Sequence, residues 1–353
     1  MFKEAFLAAA FFAWCHVFSA QGMEVLPRPL DVSVYAIIDD SYVNLLGNAR
    51  LAAQFLEAAM NGATLQYAGG FRNVYIRLLL TSLAAVGPRR EAFFMKLRGD
   101  GNLDGEHSLK VFGKQAEVVH QEEQTKTHTR TFTKDVVLLV TGRAICALPG
   151  DNGRCKVVKG IAAPRSLCTN SSAAIVTFTR DIQEATDRVA RYMAKVMGAD
   201  VQDTRECSCK EDSIFDELVE DDMITYLRTI DRSCLPRHKN PAYFLTPGSL
   251  FHQDGFCEAK LPGRPGINYC GADEDINSCQ VHCCSPGKSL TEVYSAPDGT
   301  PCDAFSRIVL TGTATWSNST DFLNARLCYR GRCTATATDL QYILKTDRKN
   351  FDW

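Results

Sequence analysis

Cysteine dominates the side chains that could do chemistry here. The chain holds fifteen: Cys15, then Cys146, Cys155, Cys168, Cys207, Cys209 and Cys234, then Cys257, Cys270, Cys279, Cys283, Cys284, Cys302, Cys328 and Cys333. Thiols in this density either ligate zinc or pair as disulfides. Zinc would draw on Cys207-Ser-Cys209 and Cys283-Cys284, whereas an oxidising compartment favours bridges. With Cys15 set aside, six and eight cysteines remain in two groups, each even and able to close internally. Sequence alone leaves the connectivity open, with Cys146/Cys155 and Cys328/Cys333 as candidates for local bridges.

The other metal ligands are sparse. Beyond residue 20 the histidines are His107, His120, His128, His238, His252 and His282, and no two stand four apart as on a zinc helix. They read as scattered surface residues, with a site assembled from distant positions as the alternative. Residues 206–222 carry eight acids (Glu206, Glu211, Asp212, Asp216, Glu217, Glu220, Asp221, Asp222) against Lys210. A solvated helix face is the simpler account, a calcium or basic-partner patch the other.

Residues 1–20 read as a secretory signal, with Lys3 ahead of an apolar run from Ala5 to Phe18 and then Ser19-Ala20. That run is about 14 residues, too short to span a bilayer, and no later segment is longer, so a secreted, extracellular protein without membrane insertion is expected. With 45% hydrophobic and 23% charged residues and a net charge of −2, the 353-residue chain is neither disordered nor fibrous. No basic field points to nucleic acid. Asn170-Ser-Ser and Asn318-Ser-Thr are glycosylation sequons.

The elements follow from periodicity. Residues 30–40 alternate and are β-branched, which predicts a strand; 42–60 have helical spacing that stops near Asn61-Gly62; 73–86 are apolar and predict a buried strand. Residues 99–132 are polar and read as surface loop, and Val136–Val140 as a central strand. Strands alternating with helices imply an α/β domain over 24–240, with a mixed sheet and flanking helices. A loop-rich, disulfide-held domain follows at 241–335, then a tail at 336–353.

The clearest helix is Thr179–Met197. Ile182, Ala185, Val189, Met193, Val196 and Met197 form its apolar stripe, Thr179 can cap it, Asp181 and Glu184 suit its positive end, and Gly198 stops it.

Taken together, KDVVLLVTG at 134–142, GIAAPRSLC at 160–168, SSAAIV at 171–176, this helix with Gly198, APDGTPC at 296–302 and LCYRGRC at 327–333 resemble the reprolysin (adamalysin) family of zinc metalloproteases. That family includes secreted salivary enzymes of blood-feeding arthropods such as ticks, and the resemblance covers roughly residues 30–335. It implies a metzincin-like fold and a helix reading H-E-x-x-H-x-x-G-x-x-H, whose first two His and third His bind zinc and whose Glu is the general base. Aligned on Gly198, those places hold Arg191, Tyr192, Lys195, Gly198 and Val201. Only the glycine matches. Arginine and lysine are cations without a lone pair to offer, valine has no donor atom, and a phenol with a pKa near 10 cannot replace the base. No cofactor is therefore expected at this helix.

The resemblance carries further expectations. Relatives can place a structural calcium on an acid like Asp39 or Asp40, for which a strand-end turn is the rival explanation. The strand at GIAAPRSLC should present its edge to extended peptides, impaired here by Pro164 and Arg165. The methionine of the turn beneath zinc is replaced within Ser213-Ile214-Phe215. Active members carry a long pro-segment, whereas only a few residues separate the signal from the first strand. The expectation is a catalytically inactive homologue that binds extracellular or host proteins, and the alternative is an active zinc endopeptidase with non-standard ligands.

Overall fold

The computed structural model describes residues 30–71, 74, 76–115, 136–149, 155–201, 215, 217–231, 234–235, 253–261, 264, 266–271, 277–285, 291–302, 326–329 and 331–335. The signal-like segment, the C-terminal tail, Cys207, Cys209, Asn318 and four of the six histidines lie outside these residues.

Strand β1 (Leu30–Asp39) leads into helix α1 (Asp40–Leu46) and helix α2 (Ala49–Gly70). The single helix predicted over 42–60 is thus two. Gly47 turns the chain at φ +91°, and the Asn48 side chain caps α2 by accepting from the Leu51 amide. The second helix also runs straight through Asn61-Gly62. Gly62 marks a close approach and not a stop: a Cβ there would lie 2.7 Å from Thr186 Oγ1.

Strand β2 (Ile76–Val86) follows, then the short helix α3 (Pro88–Glu91), β3 (Leu103–Asp104) and a helix over 105–115, α4. The expected surface loop at 99–132 therefore contains a helix in its first half. The rest of that stretch, from 116, is outside the described residues. Next come β4 (Val136–Thr141), β5 (Ile145–Pro149), β6 (Cys155–Val158), β7 (Gly160–Ala162), β8 (Ala173–Thr177), α5 (Ile182–Val196) and α6 (Glu217–Leu227).

The main sheet has the order β2-β1-β4-β8-β7. The first four strands run parallel and β7 antiparallel to β8, so the sheet is mixed. Strand β4 is central and buried throughout, as its unbroken apolar run requires. Alternation divides the two faces. Val32, Val34, Ala36, Ile38, Leu138, Val140, Ala174 and Val176 pack with α2 and α5. Ile37, Val137, Leu139, Ala173 and Ile175 pack with Met95, Leu103, Phe112 and Ile145, under α4 and the small sheet β3-β5-β6. Strand β2 departs from its prediction: it is buried over Ile76–Leu78 but largely exposed from Thr81 to Ala85, because it is the sheet's edge.

The C-terminal part comprises α7 (Gln253–Lys260), the sheet of β9 (Asn268–Tyr269), β10 (Gln280–Cys284) and β11 (Thr291–Ser295), and the hairpin of β12 (Arg326–Tyr329) and β13 (Arg332–Ala335). Its elements are short, as its Gly, Pro and Cys content predicts. Six bridges join the described cysteines: Cys146–Cys155, Cys168–Cys234, Cys257–Cys283, Cys270–Cys284, Cys279–Cys328 and Cys302–Cys333. All stay within the two expected groups, and the first was an expected local pair.

The expected Cys328/Cys333 bridge is not formed. These residues face each other across the β12–β13 ladder, where side chains stand about 4.5–5.5 Å apart at Cβ, wider than the ~3.8 Å of a disulfide. Their sulfurs instead tie the hairpin to Cys279 and Cys302. The motif at 296–302 meets the hairpin through the backbone too: Gly299 N donates to Cys328 O (2.7 Å), Cys328 N to Thr300 O (2.8 Å) and Cys302 N to Arg326 O (3.1 Å). Phe256, Cys257, Val281 and Cys283 belong to the same apolar cluster as α2 and α5, so the core runs on from the main sheet into this part. No helix among the described residues is long and apolar enough to cross a membrane.

Candidate functional site

Helix α5 begins at Ile182, where its apolar stripe begins, with its cap two residues after the one predicted. Asp181, not Thr179, is the cap, accepting from the Glu184 amide at 3.0 Å, while the Thr179 hydroxyl donates to the Glu184 carboxylate. Burial alone would raise the Asp181 carboxyl. The Glu184 amide and the Lys260 ammonium outweigh that and hold it below the ordinary carboxylate range. Every residue of the predicted stripe is buried. Arg188 is buried as well, donating to the Thr177 carbonyl and hydroxyl and to Glu184.

Three neighbours fix the C-terminal half of α5. From one side, the Tyr67 hydroxyl donates to Ala190 O at 2.6 Å, and Tyr67, Phe71 and Phe215 form a ring cluster. Phe215, the one described residue of Ser213-Ile214-Phe215, is therefore part of the support between α2 and α5. From below, the loop after β7 caps the helix end: Arg165 N donates to Lys195 O, and Ser166 N and Leu167 N to Val196 O, at 3.0–3.1 Å. Cys168–Cys234 and the bond from Tyr226 Oη to Leu167 O (2.9 Å) fasten that loop. Burial raises the Tyr226 phenol, and the Arg165 guanidinium partly offsets it.

Beyond the helix, Gly198 makes the turn at φ +105°, with Tyr226 so close that a Cβ would lie 2.4 Å from its Cβ. Sequence reasoning found Gly198 but not Tyr226, which nothing in the local pattern marks.

The five aligned positions lie in the last turns of α5 and beyond the Gly198 turn. Arg191 and Lys195 are half-buried one turn apart. Tyr192 is 2% exposed, and its ring lies against the backbone of β7, where a Cβ on Gly160 would come within 2.4 Å of it. The Lys195 ammonium sits 5.1 Å from the centroid of that ring. Val201 is buried. This donor set does not fit zinc: a dication would meet two cations, a phenol engaged in packing and an alkyl group. The anticipated effect of Pro164 and Arg165 on the strand edge is not seen. Strand β7 ends at Ala162, its last bond to β8 runs from Ala163 N to Ala173 O, and Pro164 falls in the turn that follows.

The acid at the end of β1 takes the turn alternative. Asp39 is fully buried and accepts from Tyr42 N (2.8 Å), Ser41 Oγ (2.7 Å) and Thr141 Oγ1 (2.6 Å). Arg143 Nε lies 3.8 Å away, and Arg143 also pairs with the buried Glu91. Donors and a cation already surround the carboxylate, which leaves little for calcium. Asp40 is bound into the same turn: its side chain accepts from Asn44 and its amide donates to Glu91.

Of the acids at 206–222, Glu220 is buried, Asp221 exposed and Asp222 half-buried on α6, while Glu206, Glu211, Asp212 and Asp216 lie outside the described residues. The sulfurs of Cys279, Cys302 and Cys328 lie within 4.8 Å of one another, but all three are spent in disulfides and offer no thiolate. His107 is exposed and His282 half-buried on β10. Asn170 is exposed in a turn, as its sequon requires.

No protein-family model matches the chain, and no curated protein matches it. Solved structures that match include one described as "Structure of a chaperone-substrate complex", at 12% identity and a TM-score of 0.31. That match covers 48% of this chain and 24% of the other, so the chain spans about a quarter of its length.

Proposed function

We propose that this chain is a secreted homologue of the reprolysin-type zinc metalloproteases that has lost their chemistry and acts by binding extracellular or host proteins. The observation that carries the proposal is the set of side chains on the C-terminal half of α5. Arg191, Tyr192 and Lys195 stand where two zinc ligands and a general base are implied, and Tyr192 is packed against Gly160 of the sheet edge.

A ring in that position fills space that a metal-bound water and a substrate carbonyl would need. Hydrolysis by this family requires a water made acidic by the metal and a base to take its proton; neither a guanidinium nor a packed phenol supplies them. The Gly198 turn, the edge strand β7 and the bridged C-terminal part around these positions are what support reading the chain as a relative of that family. The half-buried cations Arg191 and Lys195 suit acidic side chains on such a partner.

The test is metal content by mass spectrometry on secreted, disulfide-intact protein purified without metal-affinity steps, together with cleavage of a mixed peptide library with and without chelator. Sub-stoichiometric zinc and no chelator-sensitive cleavage are expected. One zinc per chain with chelator-sensitive cleavage would establish an active endopeptidase with non-standard ligands instead.

A further inference from the structure

Two disulfides meet at the β12–β13 hairpin. Cys279–Cys328 and Cys302–Cys333 tie the hairpin to the chain before it, and the sulfurs of Cys279, Cys302 and Cys328 lie within 4.8 Å of one another. Those three residues are sealed from water: Cys279 and Cys302 are 1% exposed and Cys328 is fully buried. Cys333 is only half-buried. The cluster is therefore approached from Cys333, and the sulfur bonded behind it stands next to the other bridge.

A disulfide opens when a thiolate attacks one of its sulfurs and expels the other. Attack at the Cys333 sulfur by a small thiol makes a mixed disulfide there and expels Cys302 as a thiolate. That thiolate is released beside the Cys279–Cys328 bridge. Backbone pairing decides which sulfur of that bridge Cys302 can capture. Pro301 pairs antiparallel with Leu327, and Cys302 N donates to Arg326 O while Cys328 N donates to Thr300 O. Cys302 thus lies opposite Arg326 and diagonal to Cys328. Diagonal residues stand about 7–8 Å apart, beyond the Cα separation a disulfide closes. Cys279 is left as the target, and its capture by Cys302 expels Cys328.

We propose that Cys333 is a site of S-thiolation by a low-molecular-weight thiol such as glutathione, and that a Cys279–Cys302 bridge formed behind it holds the modification in place. One thiol and two disulfides give the Cys333 mixed disulfide, the Cys279–Cys302 disulfide and the Cys328 thiol, which takes the proton of the incoming thiol. Two disulfides stand on each side, so the exchange consumes no oxidant or reductant. The second step is what makes the adduct last. A free Cys302 thiolate would return to Cys333 and expel the small thiol, whereas a bridged Cys302 does not. Cys328 faces Cys333 across a ladder wider than a disulfide, so it does not expel the small thiol either. The hairpin is then held to residues 299–302 by backbone bonds alone. The proposal stands apart from the functional reading above, because it uses neither α5 nor β7.

The experiment treats the full secreted, disulfide-intact chain with reduced glutathione, at the highest concentration that leaves the buried Cys257–Cys283 bridge closed. Free thiols are then blocked with iodoacetamide, and tryptic peptides are mapped by mass spectrometry without reduction. Glutathione is expected on Cys333, the alkyl group on Cys328, and a new cross-link between the peptides that hold Cys279 and Cys302. Modification confined to Cys302 and Cys333, with Cys279–Cys328 intact, overturns the proposal, because the neighbouring bridge then takes no part. A freed Cys328 without the Cys279–Cys302 cross-link overturns it as well, since glutathione then opened that bridge directly. So does a chain in which Cys333 stays unmodified.

Discussion

Tyr192 and Asp39 show how little a side chain's type says until its surroundings are known. Both are buried polar groups: one packs its ring on β7, and the other gathers donors from three residues at the ends of two parallel strands. Removing the Asp39 carboxylate by Asp39→Ala leaves those donors without their acceptor and Arg143 with Glu91 alone, and a loss of about 3 kcal/mol is expected in urea denaturation. A loss below about 1 kcal/mol would mean that water replaces the carboxylate.

Asp181 makes a different prediction because its carboxyl is held below the ordinary value. A group depressed in the folded state contributes stability that is fully present above its unfolded pKa, near 3.9, and is lost as pH falls through the lower folded value. Melting temperature should therefore fall with acidification below about pH 4, and Asp181→Asn should flatten part of that slope. The remainder belongs to groups such as Glu184, whose carboxyl Thr179, Arg188 and Lys159 also hold low against the effect of burial.

At the scale of elements, the crossing of α2 and α5 is set by a contact the sequence disguises. Gly62 in mid-helix looks like a terminator, but its missing Cβ admits the Thr186 side chain. Gly62→Ala should thus destabilise by about 1–3 kcal/mol through overpacking, despite the ~1 kcal/mol that alanine adds to an isolated helix. Adding Thr186→Ala should recover most of the loss. If Gly62→Ala alone stabilises the protein, Gly62 is not a packing residue.

The same contrast explains what the sequence revealed. Strands β1 and β4 and helix α5 were legible because their patterns report directly on burial, and Gly198 because turn chemistry is local. The split at Gly47-Asn48, the exposed end of β2 and the support from Tyr226 and Phe215 were not, since each depends on a partner distant in sequence or on a strand's place in the sheet. That Arg191, Lys195 and Val201 offer a metal no donor could be read from residue types alone; the packing of Tyr192 on Gly160 needed the fold.

Across the whole molecule, the described bridges fall into two tasks. Cys146–Cys155 closes a short hairpin between β5 and β6, with a separation of 9 residues. Cys168–Cys234 spans 66 residues and closes a loop that contains β8, α5 and α6, so it binds the capping turn beneath α5 to the chain beyond α6. Lys260 makes the corresponding non-covalent link from the C-terminal part. Its ammonium lies 3.3 Å from Asp181 and above the rings of Phe256 and Tyr294.

If bridges act mainly by restricting the unfolded chain, the longer loop matters more. Loop-closure entropy gives about 4 kcal/mol for a 66-residue loop against about 2.5 kcal/mol for a 9-residue one. The double variant Cys168→Ala/Cys234→Ala should accordingly lose more stability in chemical denaturation than Cys146→Ala/Cys155→Ala. It should also speed amide exchange at Arg165–Leu167, whose amides close the end of α5. Equal losses, with those amides unchanged, would show that the cap holds without its covalent tie and that the Tyr226 hydroxyl and the packing of α6 suffice to keep the end of α5 in place.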